Sequence, residues 1–156
     1  MELTDNLKKN NILLKVKSSN RWDLIGEMID LAVKNRDIEQ SESGEIKKAL
    51  IEREKSMSTG IGNGVAIPHC ATHKVENIIF IMSLVPKGMD FDAIDNQPVT
   101  IVILLLVPSN KLTQHIKTLA NIAKLMSNEE LRAKLVTLKT PEAIIKTMKE
   151  FEEGKK

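Results

Sequence analysis

Three histidines, His69, His73 and His115, supply every imidazole in this 156-residue chain, and their settings differ. His69 follows Pro68 at the end of Ser58-Thr59-Gly60-Ile61-Gly62-Asn63-Gly64-Val65-Ala66-Ile67, which holds three glycines in five positions. Glycine tolerates positive φ and close approach of other groups, so the segment reads as a loop able to turn N–H groups toward an anion. Val65–Ile67 then reads as a short apolar strand ending at the imidazole. Strand ends are where α/β proteins place reactive groups. Neutral imidazole, with an ordinary pKa of roughly 6.5, is a good nucleophile near neutrality. Phosphorylated on a ring nitrogen it becomes a phosphoramidate, which can pass the group onward. Such transfer needs alignment and charge neutralisation more than covalent work by the protein.

Two further residues bear on that chemistry. Ile46, Leu50 and Met57 form one stripe of a helix expected from near Ser41 to about Met57, and Arg53 falls where that stripe calls for leucine. Its guanidinium either seeks an anionic partner at the edge of the interior or snorkels to water over its apolar stem. His115 shares a helix side with Leu112, Leu119 and Ile122, at the margin of the expected buried face. It is either a satisfied packing residue or a second imidazole beside the first.

Other chemistries fit less well. Cys70-x-x-His73, with His69, has ligand-like spacing, but a single cysteine and no second ligand pair leave zinc without a full set, so no metal is expected. Asp90, Asp92 and Asp95 lack the central glycine and terminal glutamate of a calcium loop and read as turn acids. The glycine segment is neither a nucleotide-binding loop with its following Gly-Lys-Ser/Thr nor a dinucleotide fingerprint, and no hydrolase triad signature is present. No cofactor is implied.

The elements that must position these groups alternate between strand and helix. Ile12–Val16 reads as a first strand, and Asn20 caps a helix from Arg21 with Trp22, Ile25, Ile29 and Ala32 on one side. Ile78–Val85 reads as a strand turned by Pro86-Lys87-Gly88, and Asp95–Pro98 as a second turn. Val99–Val107, almost wholly apolar, is expected as a central strand covered on both faces and stopped by Pro108. Helices follow at Leu112–Met126, at Glu129–Val136 behind a capping box of Ser127 and Glu130, and at Pro141–Phe151 behind Thr140. The class is therefore α/β, a mixed parallel/antiparallel sheet flanked by helices on both faces. One domain over 1–151 is expected, with a polar tail at 152–156.

Composition narrows the partners. With 23 Lys+Arg against 21 Asp+Glu and 3% aromatic residues, neither electrostatic nor stacking affinity for nucleic acid is expected. The opening residues are polar and acidic, unlike a secretory signal, and the longest apolar run is too short for a membrane helix. One cysteine excludes an intrachain disulfide, and a cytoplasmic location is expected.

Taken together, Ser58 to His69 resembles the active-site signature of the fructose/mannitol-type enzyme IIA domains of the bacterial phosphotransferase system. The likeness continues through Phe91-Asp92-Ala93-Ile94-Asp95-Asn96-Gln97-Pro98-Val99, Leu104–Pro108 and Gln114–Ala120, in order, over nearly the whole chain. The Phe-Asp-Ala-Ile-Asp and Gln-Pro-Val wording is most similar to the nitrogen-regulatory branch. The resemblance implies that His69 accepts phosphate, that His115 assists it and that Arg53 contacts the phosphoryl group. Thr59 and Asn63 are expected to bind the phosphate from the loop. It implies a histidine phosphocarrier protein as donor and an enzyme IIB cysteine or regulatory target proteins downstream. Ile61 and Val65 are expected to contribute to the docking surface. Two alternatives remain: a sugar-specific enzyme IIA feeding an enzyme IIB, and a non-catalytic regulatory protein acting by docking alone. Cys70 stands where the family commonly has a smaller residue, and it is expected to expose the site to oxidation.

Overall fold

The computed structural model describes residues 3–154. After a 3-10 turn at Leu3–Asn6 come β1 (Leu7–Leu13), α1 (Arg21–Lys34), α2 (Gln40–Ser56), β2 (Gly60–Gly62), β3 (Val65–Ala66) and β4 (His69–Thr72). Then follow β5 (Ile79–Met89), β6 (Val99–Pro108), α3 (Leu112–Met126), α4 (Glu129–Leu135) and α5 (Pro141–Glu152). The strands form one mixed sheet in the order β1-β5-β6-β3-β2, with β4 also paired to β6. β6 is antiparallel to β5 and parallel to β3 and β4, which makes it the central strand.

Alternation along β6 divides the core in two, because successive side chains of a strand point to opposite faces. Val102, Leu104 and Leu106 pack with Leu24, Ile25, Met28, Ile29, Ile46 and Leu50 of α1 and α2. Ile101, Ile103, Leu105 and Val107 pack with Ile122, Met126, Leu131, Leu135, Ile144 and Met148 of α3, α4 and α5. Every residue of β6 except Thr100 is buried, as a strand covered on both faces requires. The helix starts follow from local chemistry. The Asn20 side chain accepts the Asp23 N–H, Thr140 accepts the Ala143 N–H, and Pro141 takes the first position of α5, where no N–H is needed.

Several expectations are corrected. The first strand begins at Leu7 rather than Ile12 and ends at Leu13; its exposed Lys8, Lys9 and Asn10 mark a sheet edge, which conceals the apolar pattern. Pro86-Lys87-Gly88 does not turn the chain, and β5 runs on to Met89 through a register irregularity after Leu84. Pairing with β1 ends at Ser83, so the missing N–H of Pro86 costs no ladder bond on that side. The cap of α4 is Asn128, whose side chain accepts from Leu131 N–H. Ser127 still has helical backbone and its hydroxyl donates to the Lys124 carbonyl. Trp22 is only half-buried, under the Arg21 guanidinium at 4.3 Å from its ring centroid. Glu152 does not open a frayed tail. It ends α5, and its carboxylate accepts from the Leu3 and Thr4 N–H groups and the Thr4 hydroxyl, tying the two chain ends together. Residues 155 and 156 of that expected tail lie outside the described residues.

Leu104 is wholly inaccessible on the α1/α2 side of the central strand, so Leu104→Ala is expected to destabilise the fold by about 2–5 kcal/mol, measured by urea unfolding.

Candidate active site

β3 and β4 are one strand with a break. Val65 faces Ile101 and Ala66 faces Val102; beyond the gap His69 faces Leu105 and Cys70 faces Leu106, with unchanged register. His69 therefore opens β4, whereas the sequence suggested that it ends the strand of Val65–Ile67. The break lies at Ile67-Pro68, where proline has no N–H for a ladder. Leu105 belongs to the face covered by α3–α5, so its partner His69 is presented to that face. Cys70 packs on the opposite side, against the α1/α2 core.

The glycine segment is not an open anion cradle. Gly60–Gly62 is a strand paired antiparallel to Val65–Ala66. Asn63 and Gly64, at φ 59° and 79°, form its two-residue turn, the primed geometry that suits Asn-Gly. Gly60 is required by close approach, since a Cβ there would fall 2.7 Å from Ala93 Cβ. The Thr59, Gly60 and Asn63 N–H groups are already donated, to Glu54, Ser58 Oγ and Asp95. The Thr59 hydroxyl also donates to Glu54. The Thr59 N–H and hydroxyl and the Asn63 N–H, all in the loop expected to bind phosphate, are thus engaged by carboxylates.

The two imidazoles meet. His69 and His115 stand edge to face, centroids 5.4 Å apart at 75°. His115 lies in the first turn of α3, with no acidic residue and no side-chain cap to neutralise the helix's positive end. The buried stripe of α3 is Thr118, Ile122 and Met126; Leu112, expected beside His115 on the buried face, is exposed. His69 Nδ1 lies 2.7 Å from the Ile67 carbonyl. A carbonyl only accepts, so Nδ1 carries the proton and the neutral ring keeps its lone pair on Nε2. His115 Nε2 is buried with no hydrogen-bond partner among the described residues.

Arg53, in the last turn of α2, completes the cluster. It is half-buried, donates to the Met57 carbonyl at 3.2 Å, and its charge reaches both imidazoles. Met57 is exposed and lies outside the buried face, which runs Ser43, Ile46, Leu50, Glu54. The interior position goes to Glu54, which the sequence reading passed over. Counting four residues from Leu50, instead of three, would have found it. Its buried carboxylate takes Arg21 Nη1 at 3.1 Å along with the two donors of Thr59.

Large exposed apolar side chains lie on the elements that carry the cluster and on the adjoining hairpin. Met57 follows Arg53, Leu112 and Ile116 flank His115, and Ile61 lies on β2. Ile94 is 81% exposed and hangs beside that hairpin, its N–H on the Gly60 carbonyl. Val65, expected on this surface, is buried in the sheet. A polar cleft lined by Lys8, Arg36, Asp37 and Lys74 contains none of His69, Arg53 and His115. His73 is exposed, and no cluster of metal-binding side chains occurs among the described residues. Burial pushes the Cys70 thiol up to about 11, which leaves little thiolate for the expected oxidation.

Burial lowers the pKa of His69 below its ordinary value, against the opposing Ile67 hydrogen bond, and the charges of Arg53 and His115 act in the same direction as burial. His115 is lowered by burial first and then by Arg53. Both rings are therefore neutral at pH 7. Between the lowered values and roughly 6.5 the unfolded chain binds more protons than the native one. Their contribution to stability is complete above roughly pH 6.5 and is lost as pH falls through the native values. NMR titration of the ring protons is expected to give midpoints below roughly 6.5 for both histidines.

Comparison with known proteins identifies the family. Residues 5–151 match the family described as phosphoenolpyruvate-dependent sugar phosphotransferase system, EIIA 2. The chain is 33% identical over 144 residues to a nitrogen regulatory protein of Bradyrhizobium diazoefficiens, covering 92% of each. It is 30% identical over 145 residues to the fructose-specific EIIABC component of Bacillus subtilis, covering 93% of this chain but 22% of that protein. The crystal structure of the nitrogen regulatory protein IIA-Ntr from Neisseria meningitidis superposes with a TM-score of 0.84 at 27% identity, over 94% of this chain and 98% of that one. No helix among the described residues is long and apolar enough to cross a membrane. The chain belongs to the EIIA 2 family, the phosphotransferase components of the phosphoenolpyruvate-dependent sugar phosphotransferase system.

Proposed function

We propose that this chain carries a phosphoryl group on His69 Nε2. The observation that carries this is the Nδ1 contact to Ile67, which leaves the lone pair on the other nitrogen. Nε2 attacks the phosphorus of a phosphohistidine on a histidine phosphocarrier protein. The donor's N–P bond breaks, its ring keeps the electron pair, and a new N–P bond forms at His69. The proton on Nδ1 stays in place, and the Ile67 carbonyl stabilises the charge the ring acquires. Arg53 and the uncapped start of α3 favour the incoming dianion. The unpartnered His115 Nε2 is a donor to a phosphoryl oxygen once its ring is protonated or in the Nε2–H tautomer. A dianion at this distance would draw that proton on.

The group then leaves to a downstream protein in the cytoplasm. Similarity to nitrogen regulatory proteins along nearly their whole length supports a regulatory relay, in which the phosphorylation state is read by target proteins. A second reading, transfer to an enzyme IIB cysteine during sugar uptake, is supported by the likeness to a fructose-specific EIIABC component. In both, the partner docks on the apolar rim formed by Met57, Ile61, Ile94, Leu112 and Ile116.

Incubation with phosphoenolpyruvate, enzyme I and a histidine phosphocarrier protein is expected to give an acid-labile, base-stable phosphate, placed on Nε2 by nitrogen NMR. His69→Ala should abolish it, and label that survives that change would overturn the assignment. Arg53→Met should slow uptake by roughly a hundredfold, the effect of removing a transition-state charge partner. Ile116→Asp, on the rim, should raise KM for the carrier roughly tenfold with little change in kcat, in steady-state transfer assays.

A further inference from the structure

Glu54 has a side chain with no solvent exposure, and a buried carboxylate costs several kcal/mol unless it is fully paired. Its partners lead in one direction. Thr59 donates both N–H and hydroxyl to it. The Thr59 carbonyl accepts the Ile67 N–H at 3.0 Å, and the Ile67 carbonyl accepts the His69 Nδ1–H at 2.7 Å. Four groups from α2, the loop before β2, the strand break and β4 are thus joined in series. On its other side Glu54 holds Arg21, which also donates to the Phe91 carbonyl; Ser58 Oγ donates to that same oxygen.

The pairing also separates two neighbouring charges. Arg53 and Glu54 are adjacent on α2, so their side chains diverge by about 100° around the axis. Glu54 is turned inward to Arg21, while the Arg53 guanidinium makes a single hydrogen bond among the described residues, to the Met57 carbonyl. Arg21 neutralises the carboxylate, and Arg53 keeps donors for an anion.

We propose that Glu54 is a positioning residue for His69, acting through Thr59 and the Ile67 carbonyl to hold the ring with Nδ1 protonated and Nε2 open. Arg21 is the counter-charge that keeps Glu54 out of the site. This rests on the phosphoryl-carrier function of His69, although the state of the ring can be measured without it.

The test compares Glu54→Gln, Thr59→Val and Thr59→Ser with the unsubstituted protein. Nitrogen NMR of the unphosphorylated protein reports the His69 tautomer, and transfer from a phosphorylated carrier reports kcat and KM. Glu54→Gln and Thr59→Val are expected to show mixed His69 tautomers and a kcat lower by roughly ten- to a hundredfold at nearly unchanged KM, the effect of a small misplacement of a reacting group. Thr59→Ser, which keeps both donors, should behave as the unsubstituted protein. If Glu54→Gln does not fold, Thr59→Val decides, since it keeps the carboxylate paired with Arg21. A folded variant whose His69 remains wholly in the Nδ1–H form overturns the proposal, whatever its rate. Failure of the unsubstituted protein to take phosphate would sink the carrier function instead, and the tautomer measurement would still decide the role of Glu54.

Discussion

A carbonyl oxygen can only accept a hydrogen bond, so the contact between Ile67 and His69 Nδ1 assigns the ring's proton and leaves the lone pair on Nε2. That bond is local, spanning two residues, and it exists because the edge strand breaks at Ile67-Pro68. Were β3 and β4 continuous, Ile67 would sit in the ladder like its neighbours. The unchanged register on either side shows that the break inserts no residue; it only frees a peptide. The rest of the site is arranged around a ring whose orientation is already settled.

Electrostatics then follow from depth. Desolvation is the largest influence on both imidazoles, and the Arg53 charge adds to it, so the unphosphorylated cluster is one cation beside two neutral rings. A dianion entering there meets positive charge and an unneutralised helix start. On the proposed function, the Arg53 charge that helps hold His69 neutral also favours a phosphoryl group carried there. The buried Glu54 carboxylate opposes this only as the smallest of the named influences on His69, and Arg21 and Thr59 occupy both its oxygens.

Much of the scaffold was legible because its signals were strong and local. Nine residues from Val99, all apolar but Thr100, announced a doubly covered strand, and Asn20 and Thr140-Pro141 announced helix starts. His69, His115 and Arg53 could be singled out, and the structure brings them together. What failed were choices between neighbours. From Leu50 the helical face continues at either three or four residues, and only packing against α1 and the loop before β2 selects Glu54 over Arg53 for the interior. The glycine segment looked like an anion loop, yet Gly60–Gly62 is paired in a hairpin, the Gly60 N–H goes to Ser58 Oγ and the Asn63 N–H goes to Asp95, far off in sequence. Pro86 looked like a turn, since nothing local shows that β1 has already ended beside it.

An edge strand explains why residues from both layers can reach one ring. His69 is presented to the α3 face, where His115 waits in the first turn of α3. Arg53 belongs to α2, which packs on the opposite face, and its charge still reaches both rings. A central strand would separate these layers by its own neighbours. Among the described residues β4 pairs with β6 alone, so a guanidinium can come round its open margin. The same openness dictates the substrate. With apolar side chains from β2, α3 and the segments around Met57 and Ile94 exposed, the site suits a reactant delivered on the surface of another protein.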